Sequence, residues 1–488
     1  MLLSRRSCRF VCAATRQRRF NSDFYRHTKY RNPFTYSQFD SIHRHRYSHF
    51  YTDLDRNDHL HVNSDGITHT FPAANLYIYP IINSNSYTNF YTLADLYPHA
   101  NSDGYVHANL HTHVHAYTNI HTNRYSNSII SNGDTMTDIL PFLKSLLTVS
   151  GLSAYEGPAA RLIEEKWKPL VDDITSSRLG SLHALKRGHG KGRRPSIMIA
   201  THMDAIGLIV TKIEDGFLHM DEIGGIDPRI LPGTPVKVHG KQELPGVIVI
   251  PPMKTLPENA RDDAVGLPHL LVDLGLLPSK VASLVRVGDL VSFDTQPVEL
   301  AGEIISGHSL DNRASVAALT ICLEELQTKL HRWDVWAVAT SQEEETLGGA
   351  ATSAFDLNPD LAVVVDVTFA KGPGASDWQT FPMGKGLTIC WGANLHPFLY
   401  KNFKELAEKL EIPTAMDIVP THSGTDAHSI QVAREGIPSI VLGIPLRYMH
   451  TPVEMVAIKD IQRVGRLLAE FISTLEDDFV SKIVWDEE

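Results

Sequence analysis

The chain has 488 residues and a formal net charge of −11, room for two or three domains at ~100–200 residues each. The charge is unevenly placed: residues 1–135 carry 12 Arg, one Lys and nine Asp, a balance of +4, which leaves −15 for the remainder. An acidic globular part without a basic, aromatic-interleaved stretch excludes a nucleic-acid surface, and the lack of any run of ~18 apolar residues excludes a membrane span.

The first 135 residues have a composition of their own, with 13 of the 25 His and 13 of the 16 Tyr but no Glu and no Trp. Residues 1–20 contain six Arg and no acid precedes Asp23, which resembles a mitochondrial transit peptide. The His-rich stretch 105–115 shows neither helical nor strand periodicity, and its imidazoles have no Cys or acidic partner to orient them on a metal. Residues 1–135 are therefore expected to be a disordered or spurious extension. His, Tyr, Asn, Thr and Ser share A/C/T-rich codons, which fits translation of an upstream non-coding stretch with Met136 as the true start.

From Thr137 the chain becomes regular. Ile139, Leu140, Phe142, Leu143, Leu146 and Leu147 fall at helical spacing, and a loop over 151–157 leads to a second amphipathic helix over 158–167. After a basic turn at 186–194, Ser196-Ile197-Met198-Ile199-Ala200 reads as a short buried strand running into His202. Between 207 and 305 short alternating segments at 236–238, 246–249 and 290–293 are separated by Gly and Pro, which signals a β-domain. From Asp311 onward predicted helices (312–330, 398–410, 460–475) and hydrophobic strands (335–340, 361–365, 439–442) alternate. The pattern predicts an α/β fold: a mixed, largely parallel sheet flanked by helices over 136–206 and 305–488, interrupted by a β-rich insert over 207–304.

In such a sheet catalytic groups collect at the carboxyl ends of strands. His202, Glu343/Glu344 and Asp366 each follow a predicted strand, so distance in sequence does not keep them apart. With Asp311 and His450 they form a set of His and carboxylate donors without Cys, which suits Zn, Co or Mn better than a structural thiolate site. A carboxylate can bridge two metals that clamp a water and polarise a carbonyl. Glu343 and Glu344 would then divide the work of ligand and base. An extended chain would put Glu343 and Glu345 on one side, so a turn is required here, and Gly348-Gly349 allow one. Asp204, two residues past His202, falls on the same side of an extended segment and can accept the imidazole N–H. A lone His at a strand end is more often structural, a prior that His202 and His450 escape through their companions.

The remaining polar residues read less sharply. His308 and His422 are placed in a substrate pocket or on solvated loops, and His428 on a loop. Asp426 reads as a helix N-cap for 427–434 or a support of the site, Arg447 as a surface charge or a support, and Asp262 and Asp263 as a solvated face. Cys8, Cys12, Cys322 and Cys390 give no disulfide framework, which favours a reducing compartment. Cys322 lies in an apolar run and reads as core.

The ordered segments 201–207, 307–313, 342–350, Asp366-Val367-Thr368, Gly424-Thr425-Asp426-Ala427 and 447–452 closely resemble the tetrahedral, or glutamyl, aminopeptidase family of two-metal peptidases, also described as a cellulase-like or endoglucanase family. The resemblance spans about 136–475. It implies a metallopeptidase domain with an inserted β-barrel-like domain that mediates dimerisation, in dimer-based homo-oligomers that include hollow dodecamers. It further implies Asp311 as a bridging ligand, His202 and Asp366 on one divalent metal, Glu344 and His450 on the other, zinc first and Co or Mn as substitutes. Glu343 takes the place of the general base and Asp204 that of the acid orienting the metal-bound His. The chain departs from the family at His308, where Lys is usual, at Gly348, where Arg is usual, and in the third acid Glu345. The implied activity is removal of N-terminal residues from peptide substrates by a metal-held bridging hydroxide. The rivals are a two-metal amidohydrolase acting on N-acyl substrates and an inactive assembly module. The implied location is cytoplasmic, or mitochondrial if the Arg-rich N-terminus is genuine.

Overall fold

A computed structural model describes residues 89–100, 106–117, 138–190, 192–258, 265–375 and 378–485. Contacts divide the chain into two units, 1–131 and 132–488. In the first, β1 (Asn89–Ala100) and β2 (Val106–Tyr117) pair antiparallel, with Asn89 opposite Tyr117 and Ala100 opposite Val106. This differs from the expectation that 105–115 forms no strand. Apolar alternation marks a strand only where one face is buried, whereas ladder hydrogen bonds need no particular side chains. The rest of 1–135, the transit-peptide-like segment included, lies outside the described residues, and so does Met136.

The second unit opens with α1 (Leu140–Thr148) and α2 (Gly157–Trp167), each carrying Pro in its first turn, where its missing N–H costs nothing. Strands β3 (Asp173–Ser176), β4 (Leu182–Lys186) and β5 (Ser196–His202) follow. The chain then leaves for a closed six-stranded barrel: β6 (Gly207–Glu214), β7 (Phe217–Ile223), β8 (Pro235–His239), β9 (Glu243–Val249), β10 (Leu271–Asp273), the helix α3 (Pro278–Leu284) and β11 (Leu290–Phe293). Leu208, Val210, Leu218, Val238, Ile248 and Val291 fill the barrel with a hydrophobic core of its own.

The return to the large sheet is made by β12 (Val298–Leu300) and β13 (Ile304–Gly307). Then come α4 (Leu310–Glu325), β14 (Asp334–Thr340), α5 (Glu343–Thr346), α6 (Gly348–Leu357), β15 (Leu361–Phe369), β16 (Leu387–Gly392), α7 (Pro397–Lys409), β17 (Thr414–Val419), α8 (Ala427–Ile430), β18 (Ser439–Arg447), β19 (Glu454–Ala457) and α9 (Ile458–Thr474). The sheet order is β12-β13-β19-β18-β15-β5-β14-β4-β3, with β16 beside β18 and β17 beside β16. Its centre, β18-β15-β5-β14, is parallel, and antiparallel strands extend it on both sides. β5 and β15 are apolar along their length because helices cover both faces. The helix α4 is buried almost all round, as a helix at the centre of a core must be. It packs on α9 at Gly465, where a Cβ would lie 2.6 Å from the Ala318 carbonyl oxygen. Only a glycine permits that approach.

Candidate metal centre and active site

Strand ends and two tight loops assemble the site. His202 closes β5 and pairs with Thr340, which closes β14 three residues ahead of Glu343. Asp366 lies on β15 opposite Gly443 of β18. The strand runs on to Phe369, so Asp366 sits within it, just past Val364, where pairing with β5 ends. Asp311 stands at the head of α4, where its own backbone and that of Asn312 are not helical. His450 lies in the turn between β18 and β19 with a left-handed backbone, as does Tyr448.

All five residues expected as ligands, and Glu343, converge on one point. His202 Nε2 lies 3.0 Å from Asp311 Oδ1 and 3.8 Å from both Glu343 Oε2 and Asp366 Oδ1. His450 Nε2 lies 3.3 Å from Glu344 Oε2 and 3.6 Å from Asp311 Oδ2. Asp311 therefore turns one oxygen to each histidine. His202, Asp311 and Glu344 each offer a donor atom within 4.8 Å of the others. These residues form the floor of an open cavity of about 960 Å³.

Charge in this cluster is out of balance. Burial pushes the carboxyls of Asp366, Glu343 and Glu344 upward, and their acidic neighbours push them further. His202 is fully buried, which disfavours its cation, yet Glu343, Asp204, Asp311 and Asp366 outweigh burial and hold it well above its usual range. His450 is raised to about 8, chiefly by its hydrogen bond with Glu344. The His202 ring shows how a metal would be held. Its Nδ1 faces only acceptors, the Asp204 carbonyl at 3.2 Å and the Asp204 carboxylate at 3.5 Å, so Nδ1 carries a proton. The raised pKa puts a second proton on Nε2, donated to Asp311 Oδ1 at 3.0 Å; a metal taking that proton's place would find both atoms as donors. Glu344 Oε1 is buried with no hydrogen-bond partner. A divalent metal fits this donor set of imidazole and carboxylate.

Similarity to known proteins is consistent with this chemistry. The M42 glutamyl aminopeptidase family profile matches residues 180–467. The chain belongs to this family. A lysyl aminopeptidase of Pyrococcus furiosus is 32% identical over 340 residues, 68% of this chain and 96% of that protein. Among solved structures, a TET aminopeptidase from the marine sediment archaeon Thaumarchaeota archaeon SCGC AB-539-E09 superposes with TM-score 0.67 at 28% identity, covering 71% of this chain and 99% of its own. The Pyrococcus horikoshii TET1 peptidase, described as assembling into a tetrahedron or a large octahedral shell, gives TM-score 0.61 at 27% identity over 69% of this chain and 100% of its own. The protein is thus an enzyme, a peptidase of the M42 family.

In this M42 peptidase the three consecutive glutamates are sorted by a helical turn, not by strand alternation. Residues Glu343–Thr346 form one turn entered from Gln342 with a left-handed backbone. Asp204 Oδ1 and Oδ2 accept the N–H groups of Glu343 and Glu344 at 3.0 and 3.2 Å, and Glu156 accepts that of Gln342 at 3.0 Å. The Glu345 carboxylate leaves the site and accepts the Gly224 N–H from the barrel at 2.6 Å. Asp204 therefore touches both His202 and the turn bearing Glu343. Burial opposes its charge, but His202 and the Glu343 N–H outweigh it and lower its pKa. At the other end of the turn, a Cβ on Gly349 would lie 2.2 Å from the Ser341 carbonyl oxygen. Gly349→Ala is expected to destabilise the fold by about 1–3 kcal/mol through that overpacking, read as a lower Tm; an unchanged Tm would show that the turn gives way freely.

Sequence reasoning missed Glu454. It is buried on β19 and accepts the Asp311 N–H and the His450 N–H, both at 3.0 Å, so one carboxylate ties together two of the expected ligand segments. Its spacing of four from His450 was the available signal. Arg313 was also missed: fully buried, its guanidinium donates to the Leu146, Val149 and Met203 carbonyls, closing the end of α1 against the site.

Other expectations resolve one by one. His308 neither lines the cavity nor meets solvent. It packs edge-on against Phe293 of the barrel, and burial pushes its pKa down to about 3, which explains why an uncharged ring is tolerated here. His422 and His428 are exposed cavity-lining residues with ring centroids 5.1 Å apart. Arg447 lines the cavity and donates to the Lys371 carbonyl at 2.7 Å. Asp426 precedes α8, but its side chain caps no helix N–H. It accepts the Thr340 hydroxyl at 2.5 Å instead, and burial raises its pKa to about 7. Cys322 is buried in the core, and burial raises its thiol pKa. Asp262 and Asp263 lie outside the described residues. No described helix is long and apolar enough to cross a membrane.

Proposed function

We propose that this M42 peptidase is a metal-dependent aminopeptidase with His202, Asp311 and Asp366 on one divalent cation and Asp311, Glu344 and His450 on the other. The observation that carries the reading is Asp311, whose two carboxylate oxygens face different histidines at 3.0 and 3.6 Å. Bound there, such cations, zinc or its substitutes Co and Mn, would activate water and polarise the scissile carbonyl. The protein's own groups do the rest. Glu343, 3.8 Å from His202 on the cavity floor, takes the proton of the attacking water and returns it to the leaving amine. Asp204 fixes the His202 ring and holds the turn that carries Glu343.

A site that removes N-terminal residues must recognise a free amine. The metal-reconstituted enzyme is therefore expected to cleave aminoacyl anilides and to leave their N-acetylated counterparts intact. A chelator should abolish turnover and added zinc restore it. Preferential cleavage of the acetylated substrates would replace this reading with a two-metal amidohydrolase.

The assembly reading also belongs here. Val247, Ile250, Met253, Leu276 and Leu277 are exposed apolar residues in and around the barrel, a pattern that suits a subunit contact. It supports the barrel, within 207–304, as the dimerisation element of a homo-oligomer, with a TET-like shell built from such dimers.

A further inference from the structure

We propose that Asp417 is the specificity-determining carboxylate of the cavity and selects peptides whose N-terminal residue is lysine or arginine. The inference rests on the aminopeptidase reading above. Asp417 lies on β17 opposite Cys390 of β16, is partly buried and lines the cavity outside the metal cluster. Its neighbours are neutral: the Thr368 hydroxyl donates to it at 2.8 Å, and the Cys390 thiol lies beside it. Among the described residues no Lys, Arg or His forms an ion pair with it. A carboxylate drawn partly out of water gains most from a cation that arrives with a ligand.

The geometry places that cation. Thr368 stands two residues beyond Asp366 on the same face of β15, a separation of roughly 6–7 Å along the strand. Gly443 of the next strand leaves the way clear, because a Cβ there would lie 3.1 Å from Thr368 Cγ2 and 2.3 Å from Thr388 Oγ1. Thr368 can thus lean across to Asp417. A substrate whose carbonyl rests on the His202–Asp311–Asp366 cluster sends its first side chain along this wall. Val367, Val419 and Leu446 line the same cavity and suit a methylene stem with a charged tip. An N-terminal Glu or Asp would instead bring an anion towards Asp417 and the acidic floor. Arg447, which also lines the cavity, donates to the Lys371 carbonyl.

The test compares lysyl, norleucyl and glutamyl p-nitroanilides on the full-length, metal-reconstituted protein and on Asp417→Asn. Lysine and norleucine share a four-carbon stem and differ by the ammonium alone. The amide oxygen of Asn can still accept the Thr368 hydroxyl. The expected lysyl-to-norleucyl ratio of kcat/KM is about 10–100 in the wild type, the worth of a charge-assisted hydrogen bond, and near unity in Asp417→Asn. Free lysine and norleucine as competitive inhibitors should show the same change. A wild-type ratio near unity, a preference for the glutamyl substrate, or a variant that loses both substrates equally would each overturn the assignment while leaving the aminopeptidase reading standing. If the wild type cleaves none of the free-amine substrates, that reading falls and this one with it.

Discussion

Glu343→Gln is expected to lower kcat by about 10²–10⁴-fold, the usual contribution of a positioned proton carrier, while bound metal stays at the wild-type level. The substitution keeps the shape and leaves the backbone in place, since Asp204 holds the Glu343 N–H and not its side chain. It removes only the group that accepts a proton. Glu343 is the acid that the proposed ligand set of Asp311, Glu344 and Asp366 leaves for that task. Burial, Asp366, Asp426 and Glu344 push its carboxyl well above the usual carboxylate range, towards the pH at which a base both accepts and returns a proton. Activity of Glu343→Gln within about tenfold of wild type would shift the role to Glu344 or Asp426. Metal analysis of the purified variant separates loss of the base from loss of the centre.

The floor of this site was largely legible in the sequence because its ligands hang on elements that local pattern identifies. His202 ends an apolar run that can only be a buried strand, and Asp366 interrupts another. Asp311 and His450 lay in short polar motifs flanked by such runs. That a turn begins at the glutamates was legible, but its helical form was not, because its cradle comes from Glu156 and Asp204, residues far away in sequence. Spacing showed only that an extended chain would not serve; tertiary hydrogen bonds made the turn helical and sent Glu345 away from the site. His308 misled for a related reason: its place against Phe293 depends on how the barrel docks. Strands β16 and β17, which bring Cys390 and Asp417 to the cavity wall, form a parallel pair at the sheet edge. β17 exposes Met416 and Ile418, so its apolar pattern gave no sign that its inward face borders a site.

Asp311→Asn is expected to empty both metal positions and abolish turnover. Asp311 is the one residue shared by the two halves of the cluster, and an amide offers one oxygen where the carboxylate offers two. Ligands on either side would lose a common anchor, so the two metals should leave together in a titration, not one at a time. The effect on stability has opposite signs in the two states. Without metal, Asp311 is one of the neighbours that push Glu344, Asp366 and Glu454 upward, after burial itself. Removing its charge relieves that crowding, and the metal-free variant should melt no lower than the metal-free wild type. With metal at about 100-fold above Kd, the wild type gains about 2.7 kcal/mol for one bound ion, and the variant gains none. Thermal melts with and without zinc, alongside metal counting, read both effects. An Asp311→Asn protein that keeps both ions would show that the two halves of the site stand independently, and would remove the bridge from the mechanism.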